Sequence, residues 1–324
     1  MQLLDEFVSV LNGLADRKNC DVFVTGSNAK FLSRDIATEF GGRGDEVHMY
    51  PLSFSEFMSV YDGNRYDGWN EYIIYGGIPL VVLAETEEQK MAILDNLFRE
   101  TYISDIVKRN KIRNVGELEA LLDILSSAIG ALTNPNKLQK TFKSVNRSKI
   151  TATTITKYIE YLEDAFLIEE AVRYDIKGKS YIGTPLKYYF MDLGLRNARI
   201  NYRQIEITHS MENVIYNELR MRGFSVDVGN LTIVENGKDG KAVKKQLEVD
   251  FICNKGSKKY YIQSAYQLDT EEKLAQEIRP FLKIKDCFKK IVITSDTPKP
   301  CYTDEGILMM NVYDFLLNPE LIDL

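Results

Sequence analysis

The chain has 324 residues, 44% of them hydrophobic, with 41 lysines and arginines against 47 aspartates and glutamates, a formal net charge of −6. That is enough apolar material for two or three cores. The acidic balance excludes a surface coated uniformly for nucleic acid, because such binding neutralises phosphates with Lys and Arg and any contact of this kind must be local.

No apolar run is long enough to cross a bilayer, and the N-terminus lacks the basic-then-apolar order of a signal peptide, so a cytoplasmic protein with no membrane partner is expected. Cys20, Cys253, Cys287 and Cys301 are scattered without a C-x-x-C pair, which fits reduced thiols better than a disulfide frame or a zinc site. His48 and His209 are far apart in sequence, which gives a His-based metal site little support.

Leu4, Phe7, Val8, Leu11 and Leu14 follow helical spacing, which puts Asp5 and Glu6 on an exposed helix face; the competing reading makes them the acidic end of a short strand. Val22 to Thr25 is a β-branched run entering the turn Gly26-Ser27-Asn28, as a buried parallel strand would. A ligand at such a sheet sits at the strand's carboxyl end, where Asn28 stands. Arg43, held between Gly42 and Gly44, is a second group suited to a phosphate, although a polar turn and a surface arginine describe the same residues.

A helical lid is expected from about Trp69, broken at Gly76-Gly77-Ile78-Pro79, and continuing through FRETYISDIVKRN with Leu97, Tyr102, Ile103 and Ile106 inward. From Ile124 to Ile159 there is no Asp or Glu, while Lys137, Lys140, Lys143, Arg147, Lys149 and Lys157 supply positive charge. Within that stretch Thr151 can cap a helix whose Ile155, Tyr158, Ile159, Leu162 and Phe166 recur at core-facing spacing. AVRYDI and TPLKYYFMD, joined by a turn through Lys177 to Lys179, then suggest the strands of a wing. Such a winged helix suits a nucleic acid backbone, with Thr153 or Thr154 near base edges, and equally suits packing against an acidic partner domain within the same protein.

In the last third, Ser210 can cap a helix with Met211, Val214, Ile215 and Leu219 on its apolar face, ended by Gly223. Strands are expected at FSVDV, LTIVE, QLEVDFIC and KKYYIQSAYQL, then a helix over 271–282 and a strand at KKIVITSD.

The words VTGSNAKFLS, GGRGDE, YPLSFSEF and YGGIP, followed by KYYFMDLGLRNAR, MENVIYNELR, LEVDFICNKGSKKYYIQSAY and IRPFLKIKD, resemble prokaryotic AAA-type ATPases that carry a C-terminal domain of unknown function with a restriction-endonuclease-like core. The resemblance implies that Asn28 ends a sensor strand orienting the attacking water and that Arg43 is an arginine finger or sensor. If Arg43 acts on a neighbour's nucleotide, oligomers are required. The family's P-loop lies upstream of this strand. The nearest approach to its pattern here is Gly178 to Gly183, with Thr184 in the lysine position and Pro185 following. ATP and Mg²⁺ are therefore expected of a full-length member and no cofactor of this chain alone, which reads as N-terminally truncated.

The order of elements after residue 205 resembles the PD-(D/E)xK nuclease core, in which carboxylates hold a divalent metal and a lysine positions water. Glu212 matches the helical acid and Asp250 the strand acid, with Glu248 on the same strand face. Where an acid, one residue and then Lys are wanted, the chain has Gln263, Ser264 and Ala265, so a degenerate site without metal is expected, used for recognition or assembly.

The fold class is thus multi-domain α/β. It comprises a partial P-loop-type AAA core (1–62), a helical lid (63–115), a winged helix (116–204) and an α+β nuclease-like end (205–324). Three functions stay open: an AAA-type ATPase component, a DNA- or partner-binding module using Lys140, Lys143, Arg147, Lys149 and Lys157, and a metal-dependent nuclease.

Overall fold

A computed structural model describes residues 7–17, 19–26, 45–145, 148–203, 205–236 and 241–324. Asn28, Arg43 and Arg147 lie outside the described residues, as do Asp5 and Glu6. Helix α1 (Phe7–Ala15) buries Leu11, one residue of the expected spacing. The expected strand at Val22 to Thr25 does not form among the described residues. It has no ladder partner there, and Phe23 is 92% exposed. A buried parallel strand needs neighbours to satisfy its backbone groups, and β-branched composition cannot supply them.

The helical region begins with α2 (Phe54–Val60), which Ser53 and Glu56 start with a reciprocal capping box. Asn64 caps α3 (Arg65–Tyr75), and Pro79 opens the short α4 (Pro79–Val82). Helix α5 (Glu87–Asn96) runs into a π-helical turn (Leu97–Ile103) and then α6 (Ser104–Asn110). Ile103 and Ile106 are buried there as expected, whereas Leu97 and Tyr102 are only partly so. Helices α7 (Val115–Ser127), α8 (Pro135–Val145) and α9 (Ala152–Asp164) follow. Thr151 caps α9 by accepting from Thr154 N, and Ile155, Tyr158, Ile159 and Leu162 are buried. Phe166 is not on that face. It lies beyond the helix at φ 55°, where the chain reverses into the first strand.

That strand, β1 (Ile168–Asp175), pairs antiparallel with β2 (Ser180–Phe190) and parallel with β3 (Ser225–Asn236), through Arg173↔Val228 and Asp175↔Asn230. The hairpin expected as a wing therefore forms one edge of the sheet built by the last third of the chain. Helix α10 (Leu193–Arg199) and α11 (Ile207–Met221) lie between them in sequence. The sheet continues through β4 (Ala242–Lys255), β5 (Lys258–Ala265), β6 (Lys289–Thr294), β7 (Cys301–Tyr302) and β8 (Leu308–Asn311). Its eight strands are ordered β2-β1-β3-β4-β5-β6-β8-β7. Helix α12 (Glu271–Leu282) covers one face with Ile278 and Phe281. Helix α11, the earlier α2 and α3, and the terminal α13 (Val312–Leu317) cover the other.

Two local expectations change. Helix α11 begins at Ile207, and Ser210 is fully buried within it instead of capping it. Packing of this helix against β2 extends it one turn back and overrides the cap preference of serine. FSVDV and LTIVE are one strand, because Gly229 and Asn230 stay paired with Val249 and Glu248 through the sequence that suggested a break.

Three family words meet at one junction. Gly76 ends α3 at φ 76°, a conformation that side chains with a Cβ rarely adopt, and the chain then turns so that Gly77 N donates to Asp192 Oδ2 at 2.8 Å. Asp192 also caps α10 through Leu195 N at 3.1 Å. Burial pushes its carboxyl up to about 6 against these backbone donors. Asn197 Nδ2 donates to Ile73 O and Ile74 O at 2.8 and 2.9 Å, and Leu52 N donates to Gly77 O at 2.8 Å. A Cβ at Gly194 would lie 2.1 Å from Tyr75 O, so α10 approaches α3 only through a glycine. Gly194→Ala is expected to lower stability by about 1–3 kcal/mol in urea unfolding. Gly116→Ala, on α7 with only Asn114 Oδ1 at 3.8 Å, should leave stability unchanged or raise it by up to about 1 kcal/mol.

Candidate functional site

The best-defined polar site is built where β2, β4, β5 and α11 meet. Pairing of β3 with β4 steps from Gly229↔Val249 to Asp227↔Ile252, so β4 carries one extra residue in this interval. This bulge lets Phe251 pack with Tyr216 of α11 while Val249 and Ile252 both pack on the α12 side, and it leaves Glu248 and Asp250 on the α11 side. Helix α11 brings Glu212 to the same point.

Into this group of carboxylates β2 inserts Lys187. Its Nζ lies 2.8 Å from Glu212 Oε1, 2.9 Å from Glu248 Oε1 and 3.8 Å from Asp250 Oδ1, and its side chain is 4% exposed. Tyr189, two residues along the same strand face, donates its hydroxyl to Glu212 Oε1 at 2.6 Å. Asp250 Oδ2 accepts from Ser264 N at 2.8 Å. On the open side, His209 Nδ1 stands 3.6 Å from Glu212 Oε2, and Glu248 is the most exposed carboxylate of the group.

Electrostatics follow from this packing. Burial alone would lower Lys187, but Glu212, Asp250 and Glu248 outweigh it and hold the ammonium well above its ordinary value. Burial would raise Glu212, yet Lys187, His209 and Tyr189 hold its carboxyl down to about 2. Asp250 moves the other way: burial and the Glu212 charge raise it to about 8 against Lys187 and the Ser264 N–H. One internal cation thus faces several carboxylates, and Asp250, at 3.8 Å the farthest from it, is pushed upward.

Gln263, the residue in the missing acid's position, is buried and occupied elsewhere. Its Nε2 donates to Glu277 Oε2 at 3.0 Å, and its Oε1 accepts from the backbone N of Asp250 at 3.4 Å. Ala265 packs in the apolar layer under α12. Lys258 pairs with Asp323, and Lys259 lies over the Tyr261 and Phe288 rings, so neither lysine fills the vacancy in the motif. The cation comes instead from a residue that spacing within the last third could not reveal. The available signal was a lysine set in the otherwise apolar run LKYYF, which continues into a buried strand.

The Lys187 ammonium thus stands at the point on which Glu212, Glu248 and Asp250 converge. Among the described residues no group of three or more His, Cys, Asp or Glu is arranged to hold a metal ion. Nor does the glycine pattern at Gly178 offer a phosphate cradle. It is the β1–β2 turn, and its Lys177 and Gly178 N–H groups both donate to Asp175 Oδ1 at 3.0 Å. Lys140, Lys143, Lys149 and Lys157 lie apart from this site, exposed on and near α8 and α9.

Because the folded value of Asp250 lies above its ordinary 3.8, the folded protein binds that proton more tightly than the unfolded chain. The contribution is full below pH of about 3.8 and lost as pH rises through about 8. Glu163, raised to about 8 by burial and Glu170, acts in the same direction. Thermal melts from pH 6 to pH 9 are therefore expected to show falling Tm, and Asp250→Asn should flatten part of that fall. An identical slope in the variant would show that Asp250 is not the group responsible.

Residues 1–58 match the family model described as AAA domain, and residues 66–206 match Domain of unknown function (DUF8612). An "Uncharacterized protein" of Haemophilus influenzae is 35% identical over 98% of this chain and 76% of its own length. "Uncharacterized protein MJ1544" of Methanocaldococcus jannaschii is 31% identical over 96% of this chain and 68% of its own. A crystal structure of protein VC1899 from Vibrio cholerae aligns with 87% of this chain and 64% of that one, at 11% identity and a TM-score of 0.24, too weak a likeness to define the fold. With identity sustained along nearly its whole length, the chain belongs to the same family as the Haemophilus and Methanocaldococcus proteins, an AAA-type family by the match of its N-terminal segment.

Proposed function

We propose that this protein is a component of an AAA-type ATPase whose C-terminal sheet keeps the frame of a PD-(D/E)xK nuclease without its chemistry and serves recognition or assembly. The observation that carries this reading is the position of Lys187 Nζ among Glu212, Glu248 and Asp250. Metal-dependent phosphodiester cleavage needs a cation open to water and to the scissile phosphate. A tethered ammonium, enclosed and 4% exposed, is neither. The site instead ties the β1–β2 hairpin, read as the wing of a winged helix, to α11 and β4.

Nucleotide chemistry, in this reading, requires a P-loop, a pattern the 324 residues do not contain. ATP with Mg²⁺ would be held by such a loop, Asn28 would orient the attacking water, and Arg43 would neutralise charge on its own or a neighbouring subunit's nucleotide. The described residues offer no phosphate cradle that would replace a P-loop. Titration of the 324-residue chain with ATP and Mg²⁺ is therefore expected to show no binding, and micromolar affinity would contradict this assignment.

The clasp has its own tests. Supercoiled plasmid incubated with the protein and Mg²⁺ or Mn²⁺ should remain uncut; nicking that disappears in Asp250→Ala would establish a nuclease. Lys187→Met should destabilise the fold by about 3–5 kcal/mol, since it leaves buried carboxylates without their cation. Adding Glu212→Gln to that variant should recover part of the loss in denaturant unfolding. Independent, additive losses would argue against a coupled ion cluster.

A further inference from the structure

We propose that the outer face of α8 and α9 is a docking surface for double-helical DNA, contacted chiefly through its phosphate backbone. Lys137, Lys140 and Lys143 are exposed at steps of three along α8, while Leu138 and Phe142 turn inward. Lys149 and Lys157 are exposed at the start of and along the neighbouring helix. Among the described residues none of these five lysines has a carboxylate within ion-pair distance. Arg199, Arg220, Arg222, Lys258, Lys273 and Arg279 each have one, while, among the described residues, Lys244 and Lys245 on β4 do not. A group of unpaired cations on a chain of net charge −6 calls for an external polyanion.

The shape of the face selects among polyanions. Thr153, Thr156 and Lys157 are exposed on the side of α9 opposite the buried Ile155, Tyr158, Ile159 and Leu162. A groove of about 490 Å³ lies between the starts of the two helices, lined by Asn134, Asn136, Thr153, Thr156, Lys157 and Thr184 among others. Its lining has amides, hydroxyls, the Lys157 ammonium and the Glu160 carboxylate but no aromatic ring. Amides and hydroxyls suit phosphate oxygens, whereas single strands are held by stacking bases on aromatic side chains. A B-form major groove, about 12 Å wide, admits an α-helix; the deep, narrow major groove of A-form RNA does not. Glu160 on α9 disfavours close phosphate approach at that end, which leaves α8 and Lys149 as the main backbone contacts.

The test is fluorescence anisotropy of a short labelled DNA duplex with the full chain, between about 50 and 200 mM salt. Binding should weaken with salt, with a log–log slope of about −0.9 per phosphate contact. The variant Lys140→Ala/Lys143→Ala/Lys149→Ala should bind roughly tenfold or more weakly, with a slope shallower by about 3. Its melting temperature should be unchanged, because these side chains are exposed. Lys273→Ala, on another surface, should bind as the wild type does. The proposal is overturned if no duplex binding occurs at the lowest salt, or if the triple variant binds as tightly as the wild type. Equal or tighter binding of duplex RNA, single-stranded DNA or poly-glutamate overturns it as well.

Discussion

A lysine buried among carboxylates is costly to assemble, since each charge gives up water and regains it only in good geometry. Lys187 meets that requirement with Glu212 and Glu248 at ion-pair distance and Asp250 slightly farther away. The three strands and one helix that supply this group are separated in sequence, so the cluster forms only when the β1–β2 hairpin has joined the larger sheet. Tyr189 adds its hydroxyl to Glu212, and Asn213 and Asn217 of the same helix bond the backbone of Phe190. Helix α11 is thus fixed to β2 by polar contacts along its length. The apolar layer of Met211, Val214, Ile215 and Leu219 then packs beneath it.

A second constraint orders the helical half. The Asp192 carboxylate gathers the Gly77 and Leu195 N–H groups, and Asn197 reaches the carbonyls that end α3. Arg196, itself fully buried, donates to Ser126 O at the end of α7. The words YGGIP and MDLGLRNAR therefore carry a structural joint between α3, α7 and α10. Gly77 and Gly194 are explained by the approach of backbone to backbone, and Gly76 by its φ of 76° beside the Asp192 carboxylate, with no phosphate required.

Much of the architecture was legible before any coordinates. The Thr151 cap, the four core residues of α9, the break at Gly76-Gly77 and the order of the last helix and strands follow from local rules of capping, periodicity and turn chemistry. The carboxylates Glu212, Glu248 and Asp250 were grouped through the resemblance of this region to a nuclease core. The partner that neutralises them was not, because it lies on a strand assigned to a different module. Local preference also misplaced Ser210 and Phe166, where burial of a long helix and a chain reversal outweighed it.

The sequence by itself determined which segments are helical, which alternate as strands, and where charge of one sign accumulates, since these depend on neighbours a few residues apart. Tertiary structure alone decided that the hairpin joins the sheet, that a bulge leaves Glu248 and Asp250 facing α11, and that Lys187 fills the space between them. Those outcomes depend on pairing between residues distant in the chain. Whether a set of carboxylates binds a metal or a lysine is set by which charge reaches that point in space.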